Sequence, residues 1–130
     1  MSRTQHNSPL HTRLCILIVD DNVDAAHMLG MLCEEFGHDI DVAHDGVAGL
    51  DAARRLRPDV IFLDLALPGM DGLEVARRLR QDPSLRDARI IAVTGSAGEE
   101  ERQRAHDVGF DQYLVKPADA AFIKSLLRRR

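Results

Sequence analysis

The chain has 130 residues, of which 45% are hydrophobic and 29% charged, with a formal net charge of −4. That length holds one domain with one core, and the composition excludes a disordered or fibrous chain. The acidic balance gives no reason to expect nucleic acid, and no apolar run or leading apolar stretch suits a membrane span or a secretory signal, so a cytoplasmic location without membrane contact is expected.

Residues 1–13 are polar, contain Pro9 and read as a disordered leader, which leaves 14–130 as the domain. Leu14-Cys15-Ile16-Leu17-Ile18-Val19 is a continuous apolar run of the kind a strand buried on both faces shows. It ends on Asp20-Asp21-Asn22. Ala25, Leu29, Leu32, Cys33 and Phe36 then recur at helical spacing, with Gly37 as the stop. His38 to Ala43 alternates as a short second strand, and Asp45-Gly46 reads as a turn. Val47, Leu50 and Leu56 mark a second helix closed by Pro58.

Val60-Ile61-Phe62-Leu63-Asp64 is the third strand, and it ends abruptly on a carboxylate. One Pro and two Gly within the next eight residues force a turn. Gly72 to Arg80 reads as a helix with Leu73, Ala76 and Leu79 on one side, and Gln81 to Arg89 as a polar loop. Ile90 to Thr94 is the fourth strand, followed by the loop Gly95 to Gly98 and a charged helix over Glu99 to Val108 stopped by Gly109. Phe110 to Lys116 is the fifth strand, and Phe122, Ile123, Leu126 and Leu127 form the apolar face of a closing helix that ends in three arginines. Cys15 and Cys33 lack metal-ligand spacing and read as buried, reduced thiols.

Strands alternating with helices imply parallel pairing and right-handed crossovers. The expected fold is α/β: a flavodoxin-like, doubly wound five-stranded parallel sheet in the order 2-1-3-4-5, with five helices. In such a sheet the strand ends share one edge, where ligands bind. Asp20, Asp21, Asp64, Thr94 and Lys116 all fall there, with strands one and three adjacent. Three crowded carboxylates repel unless neutralised. A hard divalent cation such as Mg²⁺ suits them. With the Lys116 cation and the Thr94 hydroxyl beside them, they describe a site for an anionic oxygen group such as phosphoryl.

Four ordered motifs carry a resemblance. Ile18-Val19-Asp20-Asp21-Asn22, Leu63-Asp64 with Leu67-Pro68-Gly69-Met70-Asp71-Gly72, Val93-Thr94-Gly95, and Tyr113-Leu114-Val115-Lys116-Pro117 resemble the signature set of two-component response-regulator receiver domains. The likeness runs from Leu14 to Leu127. It implies that Asp64 is the phosphoacceptor, taking a phosphoryl group from the phosphohistidine of a histidine kinase or histidine phosphotransfer protein. It implies that Mg²⁺ is held by Asp21, Asp64 and the backbone carbonyl of Ala66, with Asp20 acting through water. Lys116 would contact the phosphoryl oxygens, Thr94 and Tyr113 would form a switch pair, and the bond before Pro117 would be cis. The output would pass to a protein target or a homodimer through the face of helix 4, strand 5 and helix 5. Such a chain catalyses only its own phosphorylation and dephosphorylation. The stretch from Thr94 to Pro117 also resembles receivers of hybrid sensor kinases, so both a single-domain receiver and an excised one fit.

Two other readings fit less well. Haloacid-dehalogenase phosphatases carry an Asp-x-Asp pattern, and Ala66 stands where the second Asp, the general acid, would be. A flavin-binding module wants a phosphate-cradling loop after the first strand, where Asp20-Asp21 would repel a phosphate.

Overall fold

In the computed structural model, residues 13–95, 98–117 and 119–128 are described. Of the leader expected over 1–13, residues 1–12 lie outside those residues, as do Ser96 and Ala97 of the fourth loop, Ala118 and the last two arginines, whereas Arg13 is described and pairs with Asp39. Ten main elements alternate along the chain: β1 (Cys15–Val19), α1 (Val23–Glu35), β2 (Asp39–Ala43), α2 (Gly46–Leu56), β3 (Val60–Asp64), α3 (Gly72–Gln81), β4 (Arg89–Thr94), α4 (Glu99–Val108), β5 (Gln112–Val115) and α5 (Ala120–Arg128). All strand pairs are parallel and the order is β2-β1-β3-β4-β5. The expected fold class holds.

The period of two along each strand divides the core into two layers. Leu17, Val19, Ile61, Leu63, Ile90 and Ala92 pack with residues of α2, α3 and α4. Ile16, Ile18, Val60, Phe62, Ile91 and Val93 pack with residues of α1 and α5. Every residue of β3 is buried, as its central place requires. Each such large side chain contributes roughly 1.5–3 kcal/mol of transfer free energy.

Several local expectations change. Asp45-Gly46 is not a free turn: the Asp45 carboxylate caps α2 by accepting from the Ala48 N–H at 2.7 Å, and Gly46 opens the helix. A Cβ on Gly46 would lie 3.1 Å from the Met70 carbonyl oxygen and 3.0 Å from Val75, so the glycine serves a close approach to the β3–α3 loop. Small residues make that seam, and Val47 points outward, 67% exposed. Phe122 is 44% exposed, because Ile123, Leu126 and Leu127 alone form the inner face of α5. Cys15 is only partly covered at the start of β1, whereas Cys33 is buried, and its thiol is pushed up to about 12, mainly by burial.

The stretch over Gln81 to Arg89 is not simply a loop. A 3-10 turn at Pro83–Leu85 drives Leu85 into the core, and Arg89 already belongs to β4. The fifth strand is shorter than its apolar stretch, because Phe110 packs in the core ahead of the ladder and Lys116 leaves the ladder towards the sheet edge. Gly37 and Gly109 follow α1 and α4 at φ 96° and 111°, as the helix stops require.

Candidate functional site

The carboxyl ends of β1 and β3 lie side by side, with Val19 opposite Leu63. The residues that follow, Asp20 and Asp64, are each only 5% exposed. Their geometry is matched. One oxygen of each carboxylate is pinned by a backbone N–H two residues later: Asp20 Oδ1 accepts from Asn22 and Asp64 Oδ1 from Ala66, both at 2.9 Å. The other oxygen of each faces the same ammonium. Lys116 Nζ donates to Asp20 Oδ2 at 3.2 Å and to Asp64 Oδ2 at 3.4 Å. Asp21 stands exposed at the rim, and one oxygen from each of the three acids lies within 4.8 Å of the others.

Each support is local. Asn22 caps α1 through the Ala25 N–H at 3.0 Å while its own N–H holds Asp20. His44 donates its Nδ1–H to the Asp20 carbonyl at 3.0 Å, and the Asp20 N–H reaches the Ala43 carbonyl at 3.0 Å. Gly72, the first residue of α3, is pressed against the backbone of the turn it closes: a Cβ there would collide with the Asp64 carbonyl oxygen and stand 2.7 Å from Leu65 Cα. The Lys116 N–H is anchored on the Thr94 carbonyl at 2.7 Å, and the Lys116–Pro117 peptide bond is cis.

The charges are unevenly settled. Burial raises the Asp64 carboxyl above its ordinary range, and neighbouring Asp20 adds to the rise, against the Ala66 N–H and Lys116. For Lys116, burial acts to lower its pKa, but the hydrogen bonds and charges of Asp20 and Asp64 prevail and leave it raised. One ammonium thus serves two buried acids, with a third acid at the rim. Hard oxygen donors in this number fit a small divalent cation better than they fit each other.

Thr94 ends β4, 8% exposed, opposite Val115, two residues beyond Tyr113 on β5. Tyr113 is half-buried, with the Arg102 guanidinium carbon 4.8 Å from its ring centroid. Ala66 is exposed beside Asp64.

The sequence names Asp20, Asp21, Asp64, Thr94, Tyr113 and Lys116; the structure gathers the three acids and Lys116, ends β4 on Thr94 at the same edge, and places Tyr113 within β5, two residues short of its end. Sequence reasoning missed the supporting roles of Asn22, His44 and Gly72. Only Asn22 carried a signal, an Asx side chain directly after two acids and before a helix. A groove of about 270 Å³ opens beside the acids, between α1 and α5, lined by Met28, Leu29, Leu32, Ile123 and Pro117 with Asp20 and Lys116 at its mouth. No helix among the described residues is long and apolar enough to cross a membrane.

Comparison with known proteins gives a consistent family. The profile of the response regulator receiver domain matches residues 16–128. The DNA-binding dual master transcriptional regulator RpaA of Synechocystis is 37% identical over 118 residues, covering 88% of this chain and 49% of that protein. A gliding motility regulatory protein of Myxococcus xanthus is 34% identical over 116 residues, covering 89% of this chain and 15% of its own length. The chain thus spans about half or less of these two relatives. Among solved structures, the receiver domain of a sensor histidine kinase from Pseudomonas aeruginosa, with a magnesium ion coordinated in its active site cleft, superposes with a TM-score of 0.83 at 30% identity, over 91% of this chain and 97% of that one.

Proposed function

The chain belongs to the response regulator receiver domain family, the signalling domain of two-component systems, and on that premise we propose that Asp64 accepts a phosphoryl group from a phosphohistidine. The observation that carries this reading is the paired geometry of the two buried acids. Each has one oxygen pinned by backbone and one turned to Lys116, so Asp64 is held rigid with a single oxygen presented.

That oxygen attacks phosphorus as the bond from phosphorus to the donor imidazole nitrogen breaks, and the nitrogen keeps the electron pair. Lys116 offsets the charge that gathers on the phosphoryl oxygens. Thr94 offers the nearest uncharged donor at the strand ends. Asp21, Asp64 and the Ala66 carbonyl would hold Mg²⁺, with Asp20 acting through water, and the ion would supply charge neutralisation for the incoming group. The magnesium ion coordinated in the active site cleft of the Pseudomonas receiver domain supports this choice of ion for the chain.

The donor is a histidine kinase or a histidine phosphotransfer protein in the cytoplasm. The apolar groove between α1 and α5 supports its approach from that side, since it opens onto Asp20 and Lys116 and Met28 at its rim is 70% exposed. The output passes through α4, β5 and α5 to a protein target or a second copy.

The test is the intact mass of the protein after incubation with acetyl phosphate and Mg²⁺. One phosphoryl group is expected on the parent and none on Asp64→Asn. Undiminished labelling of the Asn variant would refute the assignment, and labelling independent of Mg²⁺ would remove the metal from it.

A further inference from the structure

The β2–α2 turn reaches the acid edge from the flank opposite Lys116, since β2 and β5 are the outer strands of the sheet. It touches both the end of β1 and the loop after β3. Asp20 donates its N–H to the Ala43 carbonyl at 3.0 Å, which carries the ladder one step past the pair of Val19 and Ala43. The strand then stops. Asp45 turns the chain by capping α2 on the Ala48 N–H. Gly46 is wedged where a Cβ would stand 3.1 Å from the carbonyl oxygen of Met70, in the loop that follows Asp64, and 3.0 Å from Val75. With Ala43, Asp45 and Gly46 all held, the backbone of His44 between them is fixed.

From that fixed point the imidazole reaches Asp20. Its Nδ1 lies 3.0 Å from the Asp20 carbonyl oxygen, and because a carbonyl only accepts, Nδ1 carries the proton. The neutral ring with its proton on Nδ1 and the imidazolium both donate there, so the bond does not depend on the charge of the ring. The Asp20 carbonyl and the Asp21 N–H belong to one rigid peptide plane. Holding the first therefore fixes the direction in which the chain enters Asp21. The Asp21 side chain makes no hydrogen bond or ion pair among the described residues, so its aim is set by the backbone that carries it.

We propose that His44 is a positioning residue for the metal: by clamping the Asp20–Asp21 peptide plane it aims the rim carboxylate of Asp21 at the space shared with Asp20 and Asp64. This rests on the reading of the three acids as a Mg²⁺ site. One oxygen from each acid already lies within 4.8 Å of the others, although like charges repel and the Asp21 side chain has no partner of its own among the described residues to hold it there. Lys116 restrains Asp20 and Asp64 and makes no bond to Asp21. The peptide plane is the remaining restraint, and His44 is the side chain that holds it. Without the imidazole the plane is free to turn, Asp21 swings towards solvent, and it must be ordered again on binding, which weakens the site.

The test is isothermal titration calorimetry of the unphosphorylated full chain with Mg²⁺ at neutral pH, with metal-free urea unfolding of the same samples. His44→Ala should bind Mg²⁺ about tenfold more weakly than the parent, the low end of what loss of an outer-shell partner costs a metal site. His44→Asn places an amide nitrogen where Nδ1 stands and should recover most of the affinity. His44→Gln carries its amide nitrogen one bond further out and should stay weak. A histidine that served the fold alone would lower the urea midpoint and leave Mg²⁺ affinity at the parent's value, and that result overturns the proposal. An Asn variant as weak as the Ala one overturns it too, because the hydrogen bond then positions nothing. Parent-like binding in His44→Ala removes this role and leaves the metal reading standing, whereas a parent that binds no Mg²⁺ removes both.

Discussion

The two edges of the sheet bury charge in opposite ways. At the edge where β4 begins, Arg80 is satisfied on every side. It donates to the carbonyls of Gly109 at 2.9 Å, Ala88 at 2.8 Å and Arg86 at 3.3 Å, and pairs with Asp111 at 2.6 Å. Asp111 in turn accepts the Ile90 N–H at 2.8 Å. Arg89 likewise closes the end of α5 through the carbonyls of Leu126 and Leu127 at 2.7 and 3.2 Å. At the edge where β1 and β3 end, two buried carboxylates share one ammonium and a third stands at the rim. One edge pairs its charges, and the other leaves acids in excess of the one ammonium they share.

The largest effect on stability is expected at the satisfied edge. Arg80→Ala removes the donor from three carbonyls and the ion pair with Asp111, and should cost about 1–3 kcal/mol. Urea unfolding should show a lower midpoint with an unchanged slope. A loss no larger than that of a surface substitution would break the contrast between the edges.

Gly72→Ala comes next, and it couples fold to site. A side chain there drives α3 away from the Asp64 and Leu65 backbone, so a loss of about 1–3 kcal/mol should come with slower phosphoryl uptake from acetyl phosphate. Lost stability with unaltered uptake would show that the loop does not position the acceptor.

A smaller and opposite effect belongs to the acid edge. The folded state holds the Asp64 proton more tightly than the unfolded chain does, because burial and Asp20 raise its pKa. The ionised carboxylate therefore costs stability, and that cost appears as pH rises through the range above an ordinary carboxylate. Asp64→Asn should match the parent in acid and exceed it at neutral pH, by about 1–2 kcal/mol. Lys116 works with the reverse sign. Its raised pKa contributes stability that is present below the ordinary lysine range and is lost as pH climbs beyond the folded value. The smallest effect is expected between the edges, at the exposed pairing of Glu74 with Arg77 and Arg78. Glu74→Gln should leave the unfolding midpoint unchanged within error, since solvent screens such pairs.

The two edges also differ in how far the sequence reveals them. The acid edge is legible because each apolar run stops on a chemically distinct residue, Asp20, Asp64, Thr94 or Lys116, and a parallel sheet aligns those stops. The topology follows from the same alternation. The other edge is silent because Arg80 finds its partners in backbone carbonyls of Arg86, Ala88 and Gly109, and carbonyls carry no sequence signal. Val47 and Phe122 read as core because they are apolar near the right spacing. The seam of α2 is instead made by Gly46, Gly49 and Ala53, and α5 needs no more than three inward residues.

The claim that the acid edge is charged beyond what Lys116 settles has a direct test in urea unfolding of the parent and Asp64→Asn at neutral pH, each with and without Mg²⁺. The account predicts that the metal-free variant is more stable than the metal-free parent, and that Mg²⁺ stabilises the parent and leaves the variant nearly unmoved. A metal-free Asp64→Asn less stable than the parent, or one that gains as much from Mg²⁺, would contradict it.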